Sequence, residues 1–327
     1  MIKELIIKKI LTDKEVSDLE GTWIDNSFIK HPVINSDTDV YYLDENNEKK
    51  LLLKFRKNVI SDELINLAWG SYKDLAKPSR GRGASAGPIN LESVYWKQRE
   101  LVDTIKWWTK YITKKGNKSK MKVNNPVLSS PIGYYESMNS LAKLPCRLTH
   151  FTKVFFEQYK NGIPFLQRID ELFKELIPDR YKKQLDRANK QPNLKIDNTS
   201  FSTVTINRNF RTALHKDGND FKEGFGNLTV IEKGKYHGGY TVFPQFGVAI
   251  DLRNNDFAAM DVHQWHANTK IYETEEDIEY NKKIKSEFKD NPKIGIEGIY
   301  TKYTRLTFVC YLREKILFCN KENENII

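Results

Sequence analysis

Residues 201–269 read FSTVTINRNFRTALHKDGNDFKEGFGNLTVIEKGKYHGGYTVFPQFGVAIDLRNNDFAAMDVHQWHANT, a series of short apolar segments with turn residues between them. The segments typical of strands are STVTIN (202–207), NLTVIE (227–232), YTVFP (240–244), VAIDL (248–252) and DFAAMDV (256–262), and TRLTFVCYLRE (304–314) adds a sixth. Six such segments at close spacing predict a β-sandwich or a β-barrel.

The sequence before residue 200 predicts a mixture of helices and strands. The predicted elements are a short strand at 51–55, the capped start of a helix at 61–69, and helices at 92–113 and 151–190. Gly162 and Pro164 predict an interruption of the last of these helices. No linker or internal repeat divides the chain, so we expect an α+β protein in which N-terminal helices support a C-terminal barrel.

The composition of the 327-residue chain argues against several classes of protein. Charged residues make up 29% of it and the mean hydropathy is −0.62, so we expect no membrane-spanning segment. The N-terminus has no signal-peptide pattern. Cys146, Cys310 and Cys319 lack CxxC spacing, which favours reduced thiols over a disulfide scaffold or a structural zinc site. The expectation is a soluble intracellular protein, in the nucleus or in a host cytoplasm.

Positive charge is concentrated in the middle of the chain. The formal net charge is +10, and residues 51–200 hold 28 basic and 14 acidic residues. Such a field suits a polyanionic partner, nucleic acid first. The alternative is compositional, because 40 lysines against 13 arginines is also what an AT-rich genome produces without selection for binding.

Two histidines and one carboxylate are candidate metal ligands. His215 and Asp217 form an HxD motif directly after a predicted strand, and His266 follows another predicted strand. Two histidines and a carboxylate on neighbouring strands form the facial triad of non-haem Fe(II) oxygenases, which leaves three iron positions open. Arg305 and Thr307 begin the last predicted strand, where a guanidinium is suited to a bidentate pair with the distal carboxylate of 2-oxoglutarate.

Each of these residues also has a simpler interpretation. An HxD motif alone is weak, since about one chance match is expected in this composition. His263 is a rival ligand, and Arg305 is equally suited to pair with an acidic neighbour. The combination in this order favours the iron site. A run of polar side chains adds to it by sharing one face of the preceding strand at period two: Thr205, Asn207, Asn209 and Arg211.

With these residues in place, residues 201–269 resemble the catalytic core of the TET/JBP family, the Fe(II)- and 2-oxoglutarate-dependent dioxygenases of nucleic-acid bases. The likeness is closest to the base-J-binding-protein branch, the thymine hydroxylases. Similar upstream blocks are SRGRGASAGP (79–88), SSPIGYYE (129–136) and CRLTHFTK (146–153). The resemblance runs from about residue 79 to residue 314. The stretch between His266 and Arg305, with an acidic segment at 273–279, is longer than the family pattern.

The resemblance implies a double-stranded β-helix, a jelly-roll or cupin-like barrel, at about residues 200–314. This core belongs to a dioxygenase domain of residues 79–327, and residues 1–78 form a mixed α/β region integral to the fold. By position, Fe(II) is expected on His215, Asp217 and His266, since His266 precedes the Ala-Asn-Thr run that follows the second histidine of the family. The expected 2-oxoglutarate contacts are Arg305, Thr307, Asn207 and Asn209.

The implied reaction is O₂-dependent hydroxylation of the 5-methyl group of a pyrimidine base in DNA, with thymine favoured and 5-methylcytosine as the second choice. That methyl group reaches an iron inside a barrel only when the base is flipped or single-stranded. Asp220 is predicted to act at the base edge. The predicted nucleic-acid contacts are Arg80, Arg82, Lys118, Lys120 and Asn219, for which a solvated lysine-rich loop is the simpler alternative.

Two other functions remain open at this point. One is a protein hydroxylase or an alkylated-base demethylase, which uses the same iron chemistry on a different carbon. The other is a nucleic-acid-binding module that has lost catalysis. The intact set of His215, Asp217, His266 and Arg305 argues against a decayed site.

Overall fold

The computed structural model describes residues 2–136, 146–285, 287–288, 296 and 301–319. The strands are β1 (Lys3–Ile7), β2 (Thr38–Leu43), β3 (Lys49–Arg56), β4 (Pro78–Ser79), β5 (Leu101–Ile105), β6 (Trp108–Tyr111), β7 (Val127–Tyr135), β8 (Arg147–Leu148), β9 (Thr203–Arg208), β10 (Gly226–Lys233), β11 (His237–Gly238), β12 (Thr241–Phe243), β13 (Val248–Ile250), β14 (Phe257–Met260), β15 (Ala267–Asn268), β16 (Ile271–Tyr272) and β17 (Thr304–Tyr311). The helices are α1 (Asp13–Asp18), α2 (Asp62–Tyr72), α3 (Val94–Lys97), α4 (His150–Val154), α5 (Phe156–Asn161), α6 (Ile163–Leu176), α7 (Pro178–Ala188) and α8 (Glu275–Asn281).

Ten strands form one large sheet. Its order is β1-β2-β3-β14-β10-β17-β9-β7-β4, with β8 paired to β7. A second, three-stranded sheet has the order β13-β12-β15. The six strands predicted after residue 200 are all found, as β9, β10, β12, β13, β14 and β17. The fold is therefore mixed α/β around a large sheet.

The two sheets pack against each other through one apolar cluster. Phe243 and Val248 of the three-stranded sheet belong to the same buried cluster as Val230 and Met260 of the large sheet. Apolar burial of this kind is the main contribution that holds two sheet layers together.

The N-terminal region supplies strands as well as helices. β3 contains the predicted strand at 51–55, and it pairs antiparallel with β14 through Phe55 and Ala258. The predicted helix start at Ser61 is also found, since its side chain accepts a hydrogen bond from the backbone N–H of Leu64 at the start of α2. The longest helix, α6 with 14 residues, lies within the helical stretch predicted before residue 200.

The helical stretch predicted at 151–190 is found as α4 to α7. Gly162 separates α5 from α6, and a Cβ at this position would lie 2.2 Å from the ring of Tyr72, so a glycine is required. Pro164 lies in the first turn of α6, where its missing N–H costs no helical bond. Phe165 and Phe173 are fully buried on the inner face of α6.

The helix predicted at 92–113 is wrong. Only α3 is helical, and β5 and β6 follow as an antiparallel hairpin whose register includes Ile105 opposite Trp108. Lys106 in its turn has a φ of 37°, in the left-handed region that breaks a helix. The aromatic and β-branched residues of this segment favour strands, and that preference outweighs the helical spacing.

The cysteines differ from expectation. Cys146 and Cys319 form a disulfide with a Cα–Cα distance of 6.1 Å, while Cys310 is a buried free thiol. The two partners are 173 residues apart, so no local spacing could reveal the pair. Within the described ranges, no helix has the length and apolar character needed to cross a bilayer.

Candidate active site

The backbone brings the three predicted metal ligands together. His215 and His266 form an isolated antiparallel bridge, in which each backbone N–H donates to the carbonyl of the other at 3.0 Å. The N–H of Asp217 donates to the carbonyl of Val262, also at 3.0 Å. The HxD segment is thereby fixed to the segment that follows β14.

The side chains of these three residues converge. Their ligand atoms all lie within 4.8 Å of one another. His215 Nε2 is 3.6 Å from Asp217 Oδ1, and His266 Nε2 is 3.8 Å from Asp217 Oδ2. The rival His263 is not part of this group, and its Nε2 instead lies 3.5 Å from the carbonyl of Phe221.

The tautomers of both histidines suit metal binding. His215 Nδ1 lies 2.8 Å from the carbonyl of Ala213, and His266 Nδ1 lies 2.9 Å from that of Gln264. A carbonyl only accepts, so each Nδ1 donates and each Nε2 is left with a lone pair. Burial and the nearby His215 lower the pKa of His266 to about 4, although Asp217 opposes the shift. Two neutral imidazoles and a carboxylate form a donor set that fits Fe(II).

Arg305 lies on β17, outside the lining of the cleft that contains this group, and is buried, with 3% of its surface exposed. Its guanidinium donates to the Thr307 hydroxyl at 2.5 Å and to the Gly239 carbonyl at 3.4 Å. Thr307 stands opposite Asn207 in the β17–β9 register, and both line the cleft that contains the ligand group.

The two predicted asparagines have separate roles in the structure. Asn207 lies in the cleft and accepts a hydrogen bond from the hydroxyl of Ser129. Asn209 accepts from the backbone N–H of Arg305 at 2.7 Å and lies outside this cleft, so its side chain positions the strand that carries Arg305. The prediction that four polar residues share one face is wrong, because β9 ends at Arg208 and Asn209 turns the chain with a φ of 49°.

The cleft around these residues has a volume of about 380 Å³. Asp220 lines it and is 8% exposed, and its Oδ2 is buried without a hydrogen-bond partner among the described residues. Burial raises the pKa of Asp220 well above its usual range, the Asp217 carboxylate raises it further, and Arg313 opposes both effects. This raised pKa favours the neutral form of the Asp220 carboxyl, the form that can donate an O–H to a ligand.

Sequence analysis did not predict three of the residues that line this cleft. Tyr135, Tyr311 and Arg313 line it. The Arg313 guanidinium forms a buried bidentate pair with the carboxylate of Glu136 and lies 4.0 Å from the Tyr135 ring centroid. Period two from Arg305 along β17 places Thr307, Tyr311 and Arg313 on one face, and this was the available signal.

The predicted nucleic-acid contacts fall into two groups. Arg82 and Asn219 line the cleft, and the Arg82 Nε is a buried donor without a partner among the described residues. Arg80, by contrast, donates to the hydroxyls of Tyr95 and Tyr111. Lys118 and Lys120 are exposed beyond the β5–β6 hairpin, and Lys118 pairs with Asp103.

A family model, Tet_JBP, described as the oxygenase domain of the 2OGFeDO superfamily, matches residues 130–314, more than half of the chain. The chain belongs to this family. It therefore carries an oxygenase domain of the Fe(II)- and 2-oxoglutarate-dependent superfamily, and the group of His215, Asp217 and His266 lies within the matched residues.

Curated proteins of Trypanosoma and Leishmania are similar to parts of this chain. The bifunctional helicase and thymine dioxygenase JBP2 of Trypanosoma brucei brucei is 37% identical over 145 residues, which cover 44% of this chain and 13% of the relative. Thymine dioxygenase JBP1 of the same organism is 32% identical over 151 residues, which cover 46% of this chain and 18% of that relative. Thymine dioxygenase JBP1 of Leishmania tarentolae is 31% identical over 237 residues, covering 72% and 27%. The chain thus spans between 13% and 27% of these relatives.

A solved structure, NgTET1 in complex with 5mC DNA, has a similar fold. It aligns over 94% of both chains with a TM-score of 0.50 and 9% sequence identity. At this identity the likeness concerns the fold, and it extends beyond residues 130–314 to nearly the whole chain.

Proposed function

We propose that this chain is an Fe(II)- and 2-oxoglutarate-dependent dioxygenase that hydroxylates the 5-methyl group of a pyrimidine base in DNA, thymine being favoured. The observation that carries the proposal is the convergence of His215, Asp217 and His266 in a polar cleft. Thr307, which accepts a hydrogen bond from Arg305, lines the same cleft. The thymine dioxygenase relatives support thymine, and the fold shared with the 5mC DNA complex makes 5-methylcytosine the second candidate.

We also propose that the two sheets form a double-stranded β-helix at about residues 200–314. The packing of the three-stranded sheet on β10 and β14, and the bridge between His215 and His266, support this arrangement. Pairing of β3 with β14 supports the proposal that residues 1–78 are integral to the dioxygenase domain of residues 79–327.

The chain's own residues bind and orient the cofactors. His215, Asp217 and His266 hold Fe(II), and the bound Fe(II) and 2-oxoglutarate supply the oxidising power with O₂ as cosubstrate. Arg305 and Thr307 bind the distal carboxylate of 2-oxoglutarate, because a buried guanidinium needs an anionic partner. Asn207 lines the same wall and supplies a further polar contact.

A flipped base fits the remaining space of the cleft. The ring of Tyr311 offers an aromatic wall, and its hydroxyl is hydrogen-bonded to Thr205 at 3.1 Å, which fixes the ring. The unpartnered Asp220 carboxyl is placed to hydrogen-bond the polar edge of a pyrimidine. Flipping costs on the order of a few kcal/mol, which such contacts offset.

The surface around the cleft suits the phosphates of DNA. Residues 104–135 contain seven lysines and no acidic residue. Lys120 is exposed on this segment, and Arg82 and Asn219 stand at the cleft itself. We propose that these three residues contact the DNA strand. Lys118 and Arg80 contribute to the positive electrostatic field that attracts it.

Mass spectrometry of nucleosides tests the proposal. Thymine-containing and 5-methylcytosine-containing DNA, duplex and single-stranded, is incubated with the protein, Fe(II), 2-oxoglutarate and ascorbate. We expect 5-hydroxymethyluracil from thymine, absent with a His215→Ala/Asp217→Ala variant. Succinate release without an oxidised pyrimidine would instead favour a protein hydroxylase or an alkylated-base demethylase. Retained DNA binding without iron uptake or succinate would favour a binding module.

A further inference from the structure

A second cleft lies beside the active-site cleft and is larger, with a volume of about 480 Å³. Among the described residues, Phe210 is the one that lines both. The loop of residues 79–88 also borders both clefts. Arg82 and Gly83 line the active-site cleft, while Ala86 and Pro88 line the second cleft. The two spaces are therefore adjacent.

We propose that the second cleft binds the nucleotide adjacent to the target base in the substrate strand. This inference rests on the proposed function, because it needs a strand whose target base enters the active-site cleft. It adds a subsite that makes turnover depend on the neighbouring base.

The charge of the second cleft fits a phosphodiester. Arg208, Arg211 and Lys270 line it, and none of its described lining residues is acidic. Lys270 is exposed and reachable by a ligand. Arg211 interacts electrostatically with Asp25, whose side chain also caps the short 3₁₀ turn at Asn26–Phe28.

The apolar part of the lining fits a base. Trp23, Phe210 and Tyr303 contribute aromatic surface next to the cations. A phosphate ion would gain nothing from these rings, whereas a nucleotide uses cationic and aromatic surface together. A volume of about 480 Å³ is also within the range of small-ligand pockets.

The walls of the second cleft are built without the ligand. The Arg211 guanidinium donates to the carbonyl of Ile24 at 2.8 Å and lies 4.8 Å from the Trp23 ring centroid. Asn125 donates to the carbonyls of Ala86 and Pro88 and so holds the loop. Gly87 has a φ of 72° and approaches Trp23 so closely that a Cβ would lie 2.3 Å from the ring. A site organised in advance loses less entropy on binding.

The test uses short single-stranded oligonucleotides that contain one thymine, with an intact or an abasic neighbour on its 5′ or 3′ side. Binding to the metal-free protein is measured by fluorescence anisotropy, and hydroxylation by the loaded protein gives KM and kcat. The variants are Trp23→Leu and Lys270→Gln. The matched control is Lys174→Gln, which changes an exposed lysine on α6. Melting temperatures show whether each variant is folded. If Trp23→Leu is unfolded, the test uses Lys270→Gln alone.

We expect wild type to lose on the order of tenfold in affinity when one of the two neighbours is abasic. Trp23→Leu should bind the intact strand about tenfold more weakly than wild type does. Its affinity for that abasic strand should be almost the same as its affinity for the intact strand. Lys270→Gln should bind every strand more weakly than Lys174→Gln does. The KM for 2-oxoglutarate should stay unchanged in both variants.

Two results would overturn the inference. One is an abasic penalty as large in Trp23→Leu as in wild type, and the other is a raised KM for 2-oxoglutarate, which would make the second cleft part of the cosubstrate path. Neighbour-dependent binding without any oxidised base would defeat the proposed reaction and keep the subsite. An oxidised base without any dependence of binding on the neighbouring base would support the proposed reaction and defeat the subsite.

Discussion

His215 and His266 face each other across two backbone hydrogen bonds of 3.0 Å, with their ring centroids 4.3 Å apart. Each Nδ1 is held by a carbonyl two residues earlier in the chain, so each Nε2 points to the same space as the Asp217 carboxylate. Backbone hydrogen bonds therefore hold the two histidine segments together independently of their imidazoles, so these side chains can be changed without removing the contacts that join the segments.

Removal of one ligand should abolish iron binding and leave the fold intact. We expect His215→Ala to bind Fe(II) at least about 100-fold more weakly, since loss of even an outer-shell partner costs about 10–100-fold. Anaerobic equilibrium dialysis with metal analysis measures the affinity. His263→Ala is the matched control, because its imidazole is near the site and outside the ligand group. Equal losses in the two variants would contradict the assignment.

Arg305→Lys should weaken 2-oxoglutarate binding. An ammonium group offers no planar fork for a carboxylate, and it loses the geometry that the Thr307 hydroxyl and the Gly239 carbonyl now fix. We expect the KM for 2-oxoglutarate to rise on the order of tenfold, with the KM for DNA unchanged. Arg168→Lys on the surface of α6 is the control. An unchanged KM for 2-oxoglutarate would remove Arg305 from the cosubstrate site.

The strands and the group of candidate metal ligands were predictable because their signals are local. The six C-terminal strands follow from short apolar segments between turns, and the HxD motif with a later histidine follows from residue types in order. The position of Arg313 in the cleft lining was not predicted, because the Glu136 carboxylate that pairs with it lies 177 positions away in the sequence.

Two of the wrong predictions share a physical cause, a residue with positive φ. Residues 92–113 have helical spacing, but left-handed backbone at Asp103 and Lys106 turns them into a hairpin. A single positive φ at Asn209 likewise divides a polar run between two clefts. Asparagine, aspartate and lysine at such positions carry no obligatory turn signal of the kind that glycine gives.

Lys120→Glu should weaken DNA binding without affecting the iron site. The side chain is exposed on a segment free of acidic residues, so its contribution is electrostatic and sensitive to salt. We expect lower affinity for every sequence and a slope of log K against log salt that is smaller by about 1. Anisotropy titrations over a range of salt concentrations check this. Lys174→Glu should leave the slope unchanged, and an equal change in both variants would point to net charge alone.

Glu287 should contribute to stability in a pH-dependent way. Hydrogen bonds from Lys73, Lys233 and Trp69 lower the pKa of this carboxyl to about 2. A depressed folded-state pKa stabilises the protein above the ordinary glutamate pKa of about 4.3, and the effect is lost as the pH falls from there towards 2. Because the side chain is about one third exposed, we expect about 1 kcal/mol.

The measurement is the melting temperature of wild type and Glu287→Gln from pH 7 to pH 2.5. The difference between them should be largest at neutral pH and should narrow below pH 4. Glu279→Gln, which removes an exposed pair with Lys282, is the control and should differ little from wild type at any pH. A gap for Glu287→Gln that stays constant over the whole range would rule out the linkage.

Arg313 and Glu136 should prove interdependent. Both side chains are 8% exposed, and burial alone would raise the pKa of Glu136, but the hydrogen bonds from Arg313 outweigh it and lower that pKa. Arg313→Met therefore leaves a buried carboxylate without its partner, at a cost of about 3–5 kcal/mol in the free energy of unfolding. Urea unfolding of Arg313→Met, Glu136→Gln and the double variant measures the coupling.

The double variant should be more stable than Arg313→Met, because no unpaired charge remains in it. Arg313 also lines the active-site cleft, so the double variant should regain stability and still show a raised KM for the DNA substrate. Additive losses of stability in the two single variants would show that the pair is not coupled. A normal KM in the double variant would show that Arg313 supports the wall without contacting the base.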